Sequence, residues 1–210
     1  MQRSLNEIET TLVKAARGSG QPIGIAEDLA RAGVWLCRLG CDGVSVVLAS
    51  LEATSEIDRP LVVGDQQIAT GPQHPVLSAQ ASIDFALREP GTIVRLSNGL
   101  PVPEILIGLA GQASHGFDVS FSISIGGTQK IAISTDGASE KPDQLPADKT
   151  IKILATSEMP IASACGLTHS RPDVMDNVWN KALSLAALTY VPATEASRAS
   201  GAGAGLTDND

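Results

Sequence analysis

Two segments of the chain place an arginine directly before a glycine-rich stretch, a pattern that suits anion binding. Residues 16–20 read "ARGSG" and residues 197–205 read "SRASGAGAG". Glycines let backbone N–H groups approach an anion closely, and a guanidinium group beside them binds a carboxylate or phosphate through two parallel hydrogen bonds. The two segments together therefore predict one site for a small anionic molecule. The candidate binding residues are Arg17, Gly18, Gly20, Ser197, Arg198, Gly201 and Gly203.

Glu195 adds the opposite charge to this predicted site. It lies three residues before Arg198, a spacing at which two side chains meet on a helix, so the two either pair or present both charges to a zwitterion. The alternative interpretation is that Gly18 and Gly20 only end a helix and that the C-terminal glycines form a solvated tail. Neither segment has the Gly-Lys-Ser/Thr ending of a phosphate loop or the dinucleotide fingerprint, so no cofactor is expected.

The segment "ACGLTHSRPD" holds the residues best suited to catalysis. Cys165 and His169 supply a nucleophile and a base, and the predicted helix that follows favours an anionic substrate at its N-terminus. His74 and His115 also occur in sequence contexts typical of turns. The alternative is that this segment is a capping loop with a buried cysteine, because catalytic pairs usually meet through folding and not through sequence proximity.

Composition excludes several classes of partner. The chain of 210 residues has a formal net charge of -8 and only 3% aromatic residues, so neither a nucleic acid nor an anionic membrane surface is an expected partner. Asp208 and Asp210 are either hard-oxygen ligands for a metal ion or a solvated acidic end. Three cysteines without disulfide-scaffold spacing, and an N-terminal run without a signal-peptide core, predict a cytoplasmic location.

Helical periodicity dominates the first ninety residues. Ser4 and Glu7 form a predicted capping box before a helix that continues to about Ala16, and a second helix begins after Pro22 and stops at Gly40. Two further helices are expected, one from Gly43 and one from about Pro75 to Arg88, with an irregular connection and one short strand between them. A last helix is predicted from the region of Ser170 and Pro172.

Between these helices the apolar period changes from 3.6 to 2. The runs "TIVRLSN", "EILIGLA", "FDVSFSISIGG", "QKIAISTD" and "TIKILAT" predict a β-meander of four or five strands. In the third run Phe117, Val119, Phe121, Ile123 and Ile125 alternate with Asp118, Ser120, Ser122 and Ser124. One face of this strand is therefore expected to be buried and the other polar.

Together these elements predict an α+β fold built as a single domain. We expect a helical part over residues 4–90, a mainly antiparallel sheet of four to five strands over residues 91–156, and a C-terminal helix with the glycine-rich segment over residues 170–210. The N-terminal run "SLNEIETTLVKAARGSGQPIGIAEDLARAGVWLCRLGCDG" and the C-terminal run "TYVPATEASRASGAGAG" resemble a bacterial family of unknown function about 200 residues long. That resemblance implies one unit over nearly the whole chain and no activity.

Three functional hypotheses follow from the sequence. The first is an enzyme acting on a small carboxylated metabolite held by Arg17 and Arg198, with His169 as the proton carrier. The second is a non-catalytic subunit or assembly protein, a homo-oligomer for example, whose C-terminal segment docks on a partner chain. The third is a small-ligand binding module that uses the polar sheet face of Asp118, Ser120, Ser122 and Ser124.

Overall fold

The computed structural model describes residues 1–54, 62–64, 67–69, 75–97, 99–157 and 164–190. The helices within these residues are α1 (Leu5–Gly18), α2 (Ile23–Arg38), α3 (Gly43–Ala53), α4 (Pro75–Arg88), α5 (Glu104–Phe117) and α6 (Asp176–Ala187). The strands are β1 (Val62–Gly64), β2 (Gln67–Ala69), β3 (Ile93–Leu96), β4 (Ser120–Ile125), β5 (Gln129–Ser134), β6 (Gly137–Ala138), β7 (Ile151–Thr156) and β8 (Cys165–Gly166). The α+β fold class is confirmed. None of the described helices combines the length and hydropathy that crossing a membrane requires.

Local capping signals place the first helices as the sequence predicts. The Ser4 hydroxyl accepts a hydrogen bond from the Glu7 backbone N–H at 3.1 Å, which satisfies one of the unpaired donors at the start of α1. At the other end Gly20 has a φ of 87°. This left-handed residue lets the N–H groups of Gly20 and Gln21 return to the carbonyls of Arg17 and Ala16, which closes α1 in a Schellman motif.

The eight strands form one sheet in the order β1-β2-β3-β7-β4-β5-β6-β8. All described pairings are antiparallel except β2 with β3, which is parallel. The sheet is therefore mainly antiparallel, as predicted. The predicted meander is wrong, because β7 inserts between β3 and β4 and each of these pairs with it. In the 53–73 connection the described residues form two short strands, β1 and β2, and not one.

The run "EILIGLA" forms a helix, so the predicted strand at this position is wrong. It forms the first half of α5, and residues 105–111 are all buried. A helix that is buried all round shows no helical period, so its apolar run resembles a buried strand. Phe117 belongs to the end of the same helix and is 67% exposed, so its predicted place on the buried strand face is also wrong.

The last helix begins later than its predicted capping residues. Ser170 and Pro172 precede α6, which starts at Asp176. The intervening residues bind the N-terminal segment instead: the Arg3 N–H donates to the Pro172 carbonyl at 3.0 Å, and the Val174 N–H donates to the Met1 carbonyl at 3.0 Å. These hydrogen bonds hold the segment extended, and helix formation starts only after them.

The helices cover one face of the sheet in successive layers. In β4, Phe121, Ile123 and Ile125 are fully buried and point to the same side, which confirms the predicted alternation for these residues. Helices α4 and α5 pack on that side, α2 packs on the far side of α5, and α1 lies against both α2 and α6. The two tryptophans, Trp35 and Trp179, are each only 4% exposed and pack in the core.

A glycine in α1 provides a direct test of this packing. A Cβ atom on Gly18 would overlap the Leu185 carbonyl oxygen of α6, whereas a Cβ on Gly24 in α2 would meet nothing within 4 Å. We expect Gly18→Ala to lower the free energy of unfolding by about 1–3 kcal/mol, since a packed interface must open to admit the methyl group. Thermal denaturation measures the effect, at about 2–4 °C per kcal/mol for a chain of this size.

Gly24→Ala is the matched control for this substitution. It makes the same chemical change in a neighbouring helix without a steric conflict, so its melting temperature should be unchanged or higher, because alanine favours helices over glycine by up to about 1 kcal/mol. Equal melting temperatures for the two variants would contradict the close contact between α1 and α6.

Candidate functional site

Arg31, on the outer side of α2, lines three adjoining cavities. We call these together the Arg31 groove. The first and second cavities share Arg31 and Gln112, and the second and third share Arg31 and Glu9. The groove runs between α1, α2, α4 and α5, and its third cavity extends to the end of α6.

The first cavity, which we call the acidic cavity, has a volume of about 360 Å³ and lies where α2, α4 and α5 meet. Asp28 lies at its centre and is held from two helices. Gln80 Nε2 donates to Asp28 Oδ2 at 2.6 Å, and Gln112 Nε2 donates to Oδ1 at 3.3 Å. The remaining lining residues are largely apolar: Ile83, Leu87, Leu109, Ala113, Gly116 and Phe117, with Arg31 and Asp84 as the charged members.

Asp84 is the second carboxylate of the acidic cavity. Partial burial of its carboxyl group and, to a smaller extent, the negative charge of Asp28 raise its pKa above the ordinary value for aspartate. Asp84 therefore holds its proton to a higher pH than a free aspartate does. A pair of carboxylates with different environments, one fixed by amide donors and one with a raised pKa, is an arrangement that can exchange a proton with a ligand.

The second cavity, which we call the indole cavity, has a volume of about 290 Å³ and is lined by Trp35, Arg38 and His115 besides Glu9, Arg31, Val34 and Gln112. Two donors of residues that line it are buried away from solvent. The Trp35 Nε1 and the Arg38 Nε form no hydrogen bond with any of the described residues. A buried donor without an acceptor is unfavourable by about 1–3 kcal/mol, and such groups mark places where a water or a ligand belongs.

The third cavity, which we call the terminal cavity, has a volume of about 600 Å³ and contains Arg17. Lys14 and Tyr190 form its far wall, with Lys14 Nζ 3.5 Å from the Tyr190 hydroxyl and 5.4 Å from the centre of the ring. The charged residues of this cavity are Glu9, Lys14 and Arg17 from α1 and Glu27 and Arg31 from α2. The described part of the C-terminal region ends here, at Tyr190.

Three carboxylates surround the Arg31 guanidinium group without hydrogen-bonding to it. The nearest nitrogen–oxygen distances are 3.9 Å to Glu9, 3.7 Å to Glu27 and 3.8 Å to Asp28. Each distance is longer than a hydrogen bond. The side chain is 49% exposed. The three carboxylates therefore attract the guanidinium group, and none of them is hydrogen-bonded to it.

The predicted N-terminal binding residues have separate roles in the structure. Arg17 is exposed in the terminal cavity, and Gly18 makes the contact between α1 and α6. Gly20 ends α1, and its N–H donates to the Arg17 carbonyl at 2.9 Å, so that amide is already used. The predicted partners Glu195, Ser197, Arg198, Gly201 and Gly203 lie outside the described residues, as do His74, Asp208 and Asp210.

The predicted catalytic pair is not joined by a hydrogen bond in the described part of the chain. Cys165 lies in β8 and is partly buried, whereas His169 is exposed in the loop that follows. That loop is attached to the end of α2, where the Thr168 N–H donates to the Arg38 carbonyl at 2.7 Å. Their catalytic role stays a prediction.

The other two thiols are suited to packing. Burial raises the pKa of Cys37 to about 11, and burial also raises the pKa of Cys41. Both are therefore protonated at neutral pH and weak nucleophiles.

One family model matches the N-terminal third of the chain. The family model "Protein of unknown function (DUF3726)" matches residues 3–71. The match includes the N-terminal run on which the sequence resemblance rests, and the C-terminal run lies beyond it. It also includes the α1 and α2 residues of the Arg31 groove. Comparison with curated proteins and with solved structures finds no match for the chain.

The spacing of the groove residues on α2 is visible in the sequence, although apolar periodicity alone does not reveal it. Asp28, Arg31, Trp35 and Arg38 are spaced three or four residues apart, which places them on one stripe of the helix. The apolar periodicity of α2 lies on the adjacent stripe of the helix. His115 was also misplaced, because its predicted turn is the last turn of α5. Asp84 and Gln112 had no comparable signal.

The raised pKa of Asp84 predicts a pH-dependent stability difference. Because the folded state holds this proton more tightly than the unfolded state, Asp84 lowers stability as the pH rises from the ordinary aspartate pKa through the raised value. Asp84→Asn should therefore raise the melting temperature slightly at pH 7, within about 0.5 kcal/mol for this exposed residue.

The gain should disappear in acid, where Asp84 is protonated in both states. An NMR titration of the carboxyl groups is the direct check, with Asp28→Asn as the companion variant. That substitution removes the smaller of the two causes, so the Asp84 pKa should fall towards the ordinary value without reaching it. An Asp84 pKa that is ordinary in the unsubstituted chain would contradict the described environment.

Proposed function

We propose that the chain binds a small zwitterionic molecule in the Arg31 groove. The observation that carries this proposal is the position of Arg31, which lines all three cavities and so lies between the two aspartates of the acidic cavity and Arg38 of the indole cavity. A ligand with a carboxylate at one end and an ammonium group at the other matches that division of charge. Electrostatic complementarity of this kind gives specificity.

The indole cavity suits the carboxylate end of the ligand. Arg31 and Arg38 are permanently charged, and the Trp35 indole can only donate hydrogen bonds. A carboxylate that reaches these donors gains charge-assisted hydrogen bonds, which are stronger than neutral ones.

The acidic cavity suits the ammonium end. Asp28 is held in place by Gln80 and Gln112, so its orientation does not depend on a ligand. An ammonium group beside Asp28 and Asp84 would favour the ionised form of Asp84 and so lower its raised pKa. An enzyme acting on a carboxylated metabolite is the catalytic form of this proposal.

The ligand class proposed for the groove is the one predicted from the sequence, but most of the binding residues differ from the predicted ones. Arg17 lines the terminal cavity and is therefore the one predicted binding residue, among those that the structure describes, that belongs to the groove. In this proposal, the small anionic or zwitterionic partner expected from the two Arg/Gly segments binds groups on α2, α4 and α5. The cavities of about 290–360 Å³ fall near the lower end of the range for small-molecule sites.

A thermal-shift screen followed by calorimetry tests the proposal. The probes are α-amino acids, ω-amino acids, dicarboxylates and diamines. A zwitterion at about 100 times its dissociation constant should stabilise the chain by about 2.7 kcal/mol. Arg31→Gln should abolish this shift and its binding heat, because it removes the charge shared by all three cavities.

The matched control is Arg88→Gln. Arg88 is an exposed arginine at the end of α4 and lines none of the three cavities, so this variant should bind as the unsubstituted chain does. Zwitterion binding that survives Arg31→Gln, or a panel in which only diamines or only dicarboxylates bind, would contradict the proposed ligand class.

A second candidate function, a subunit that docks on a partner chain, is favoured by apolar residues at the end of α6. Leu183, Leu188 and Tyr190 are 45%, 68% and 63% exposed. Large apolar side chains grouped on a surface are typical of interaction sites. A homo-oligomer formed through this end of the molecule is the simplest version of the hypothesis.

Light scattering coupled to size-exclusion chromatography tests this second candidate. The chain truncated after Tyr190 should lose self-association if residues 191–210 bind a second copy, and Leu183→Gln/Leu188→Gln should lose it if the exposed end of α6 does. A chain that ends at Asn180 is unsuitable for this test, because it also lacks the buried residues Ala182 and Ala186. A monomer of the full chain at all concentrations would exclude the homo-oligomer.

A further inference from the structure

A row of basic side chains crosses the outer face of the sheet, opposite the face covered by α4 and α5. In the strand register Arg95 of β3 lies directly opposite Lys152 of β7, Lys152 opposite Ser124 of β4, and Ser124 opposite Lys130 of β5. Directly opposed residues point to the same side of a sheet. Neighbouring strands lie about 4.8 Å apart, so this basic row spans about 14 Å.

The charges of the basic row are not neutralised within the described structure. Arg95, Lys130 and Lys152 are all exposed, and none of them forms an ion pair with another described residue. Arg95 and Lys152 are like charges on directly opposed positions, an arrangement that destabilises a sheet. It occurs in a chain whose net charge is -8.

One end of the basic row opens into a cavity of about 540 Å³. Its charged lining residues, Arg95, Lys149 and Lys152, are all basic. Lys149 has an acidic neighbour, since its Nζ lies 3.3 Å from Asp148 Oδ2, and this pair is exposed to solvent. The turn between β4 and β5 forms the rim through Gly126 and Gly127, whose lack of side chains leaves room above the lysines.

We propose that this cavity is a second ligand site, which binds a small molecule carrying two or more adjacent phosphate groups. Three basic side chains in one cavity exceed what a single carboxylate can neutralise, whereas linked phosphates present several charged oxygens at neighbouring positions. Arginine binds phosphate oxygens through two parallel hydrogen bonds, and lysine adds a mobile point charge. Bound phosphate would also remove the repulsion between Arg95 and Lys152. This site is separate from the Arg31 groove and does not rest on the function proposed for it.

Isothermal titration of the full chain with tripolyphosphate tests the proposal, with orthophosphate, citrate and a single-stranded oligonucleotide as comparison ligands. Tripolyphosphate should bind more tightly than orthophosphate or citrate. Arg95→Gln/Lys152→Gln should weaken that binding by about tenfold or more for each basic group removed. The melting temperature of the same variant without ligand should be unchanged or higher, because two opposed like charges are removed.

The control is Arg88→Gln/Arg171→Gln, which removes the same charge from exposed positions outside the cavity. It should bind tripolyphosphate as the unsubstituted chain does, and Arg31→Gln should do so too. Equal weakening by the control would show unspecific attraction and overturn the site. Absence of tripolyphosphate binding, or binding of the oligonucleotide alone, would overturn the proposed ligand class, and a fall in stability of Arg95→Gln/Lys152→Gln would assign the pair to the fold.

Discussion

Burial of α5 between the sheet and α2 is the constraint on which the Arg31 groove depends. Residues 105–111 of this helix are fully enclosed, so its position relative to both layers is fixed by close packing. In the second half of the helix, Gln112 and His115 line the groove. The rigid first half of α5 therefore sets where the polar groups of its second half meet α2.

The arrangement of charged side chains determines which class of ligand the groove favours. Arg31 is surrounded by three carboxylates that are too distant to occupy its donors, and Asp28 is held by two amide groups from other helices. Such a site is organised before a ligand arrives, which reduces the entropy lost on binding. The groove is nearly balanced in charge along its length, whereas the outer sheet face carries the unbalanced basic row. The two surfaces thus favour ligands of different charge.

The parts of the fold that local chemistry determines could be predicted from the sequence. The Ser4 cap, the left-handed Gly20 that ends α1 and the alternating residues of β4 all follow from interactions within a few positions of the chain. The first half of α5 could not be assigned, because burial on every side removes the period that distinguishes a helix from a strand. The position of β7 between β3 and β4 also depends on long-range pairing.

The candidate site was less predictable for a similar reason. The stripe of Asp28, Arg31, Trp35 and Arg38 can be found in the sequence of α2 alone, but the hydrogen bonds that organise it join residues 52 and 84 positions apart. The Arg/Gly pattern includes Arg17, which lines the terminal cavity. It could not show that Gly18 packs against α6 and that the Gly20 amide is already bonded.

The most direct test of ligand binding in the Arg31 groove uses the two tryptophans of the chain. In a ¹H–¹⁵N correlation spectrum each indole gives its own N–H signal, and Trp179, which packs under Arg3 away from the groove, serves as an internal reference. Titration with the amino acid that most raises the melting temperature should shift the Trp35 indole signal and leave that of Trp179 in place. A Trp35 signal that stays fixed at saturating ligand would contradict binding in the groove.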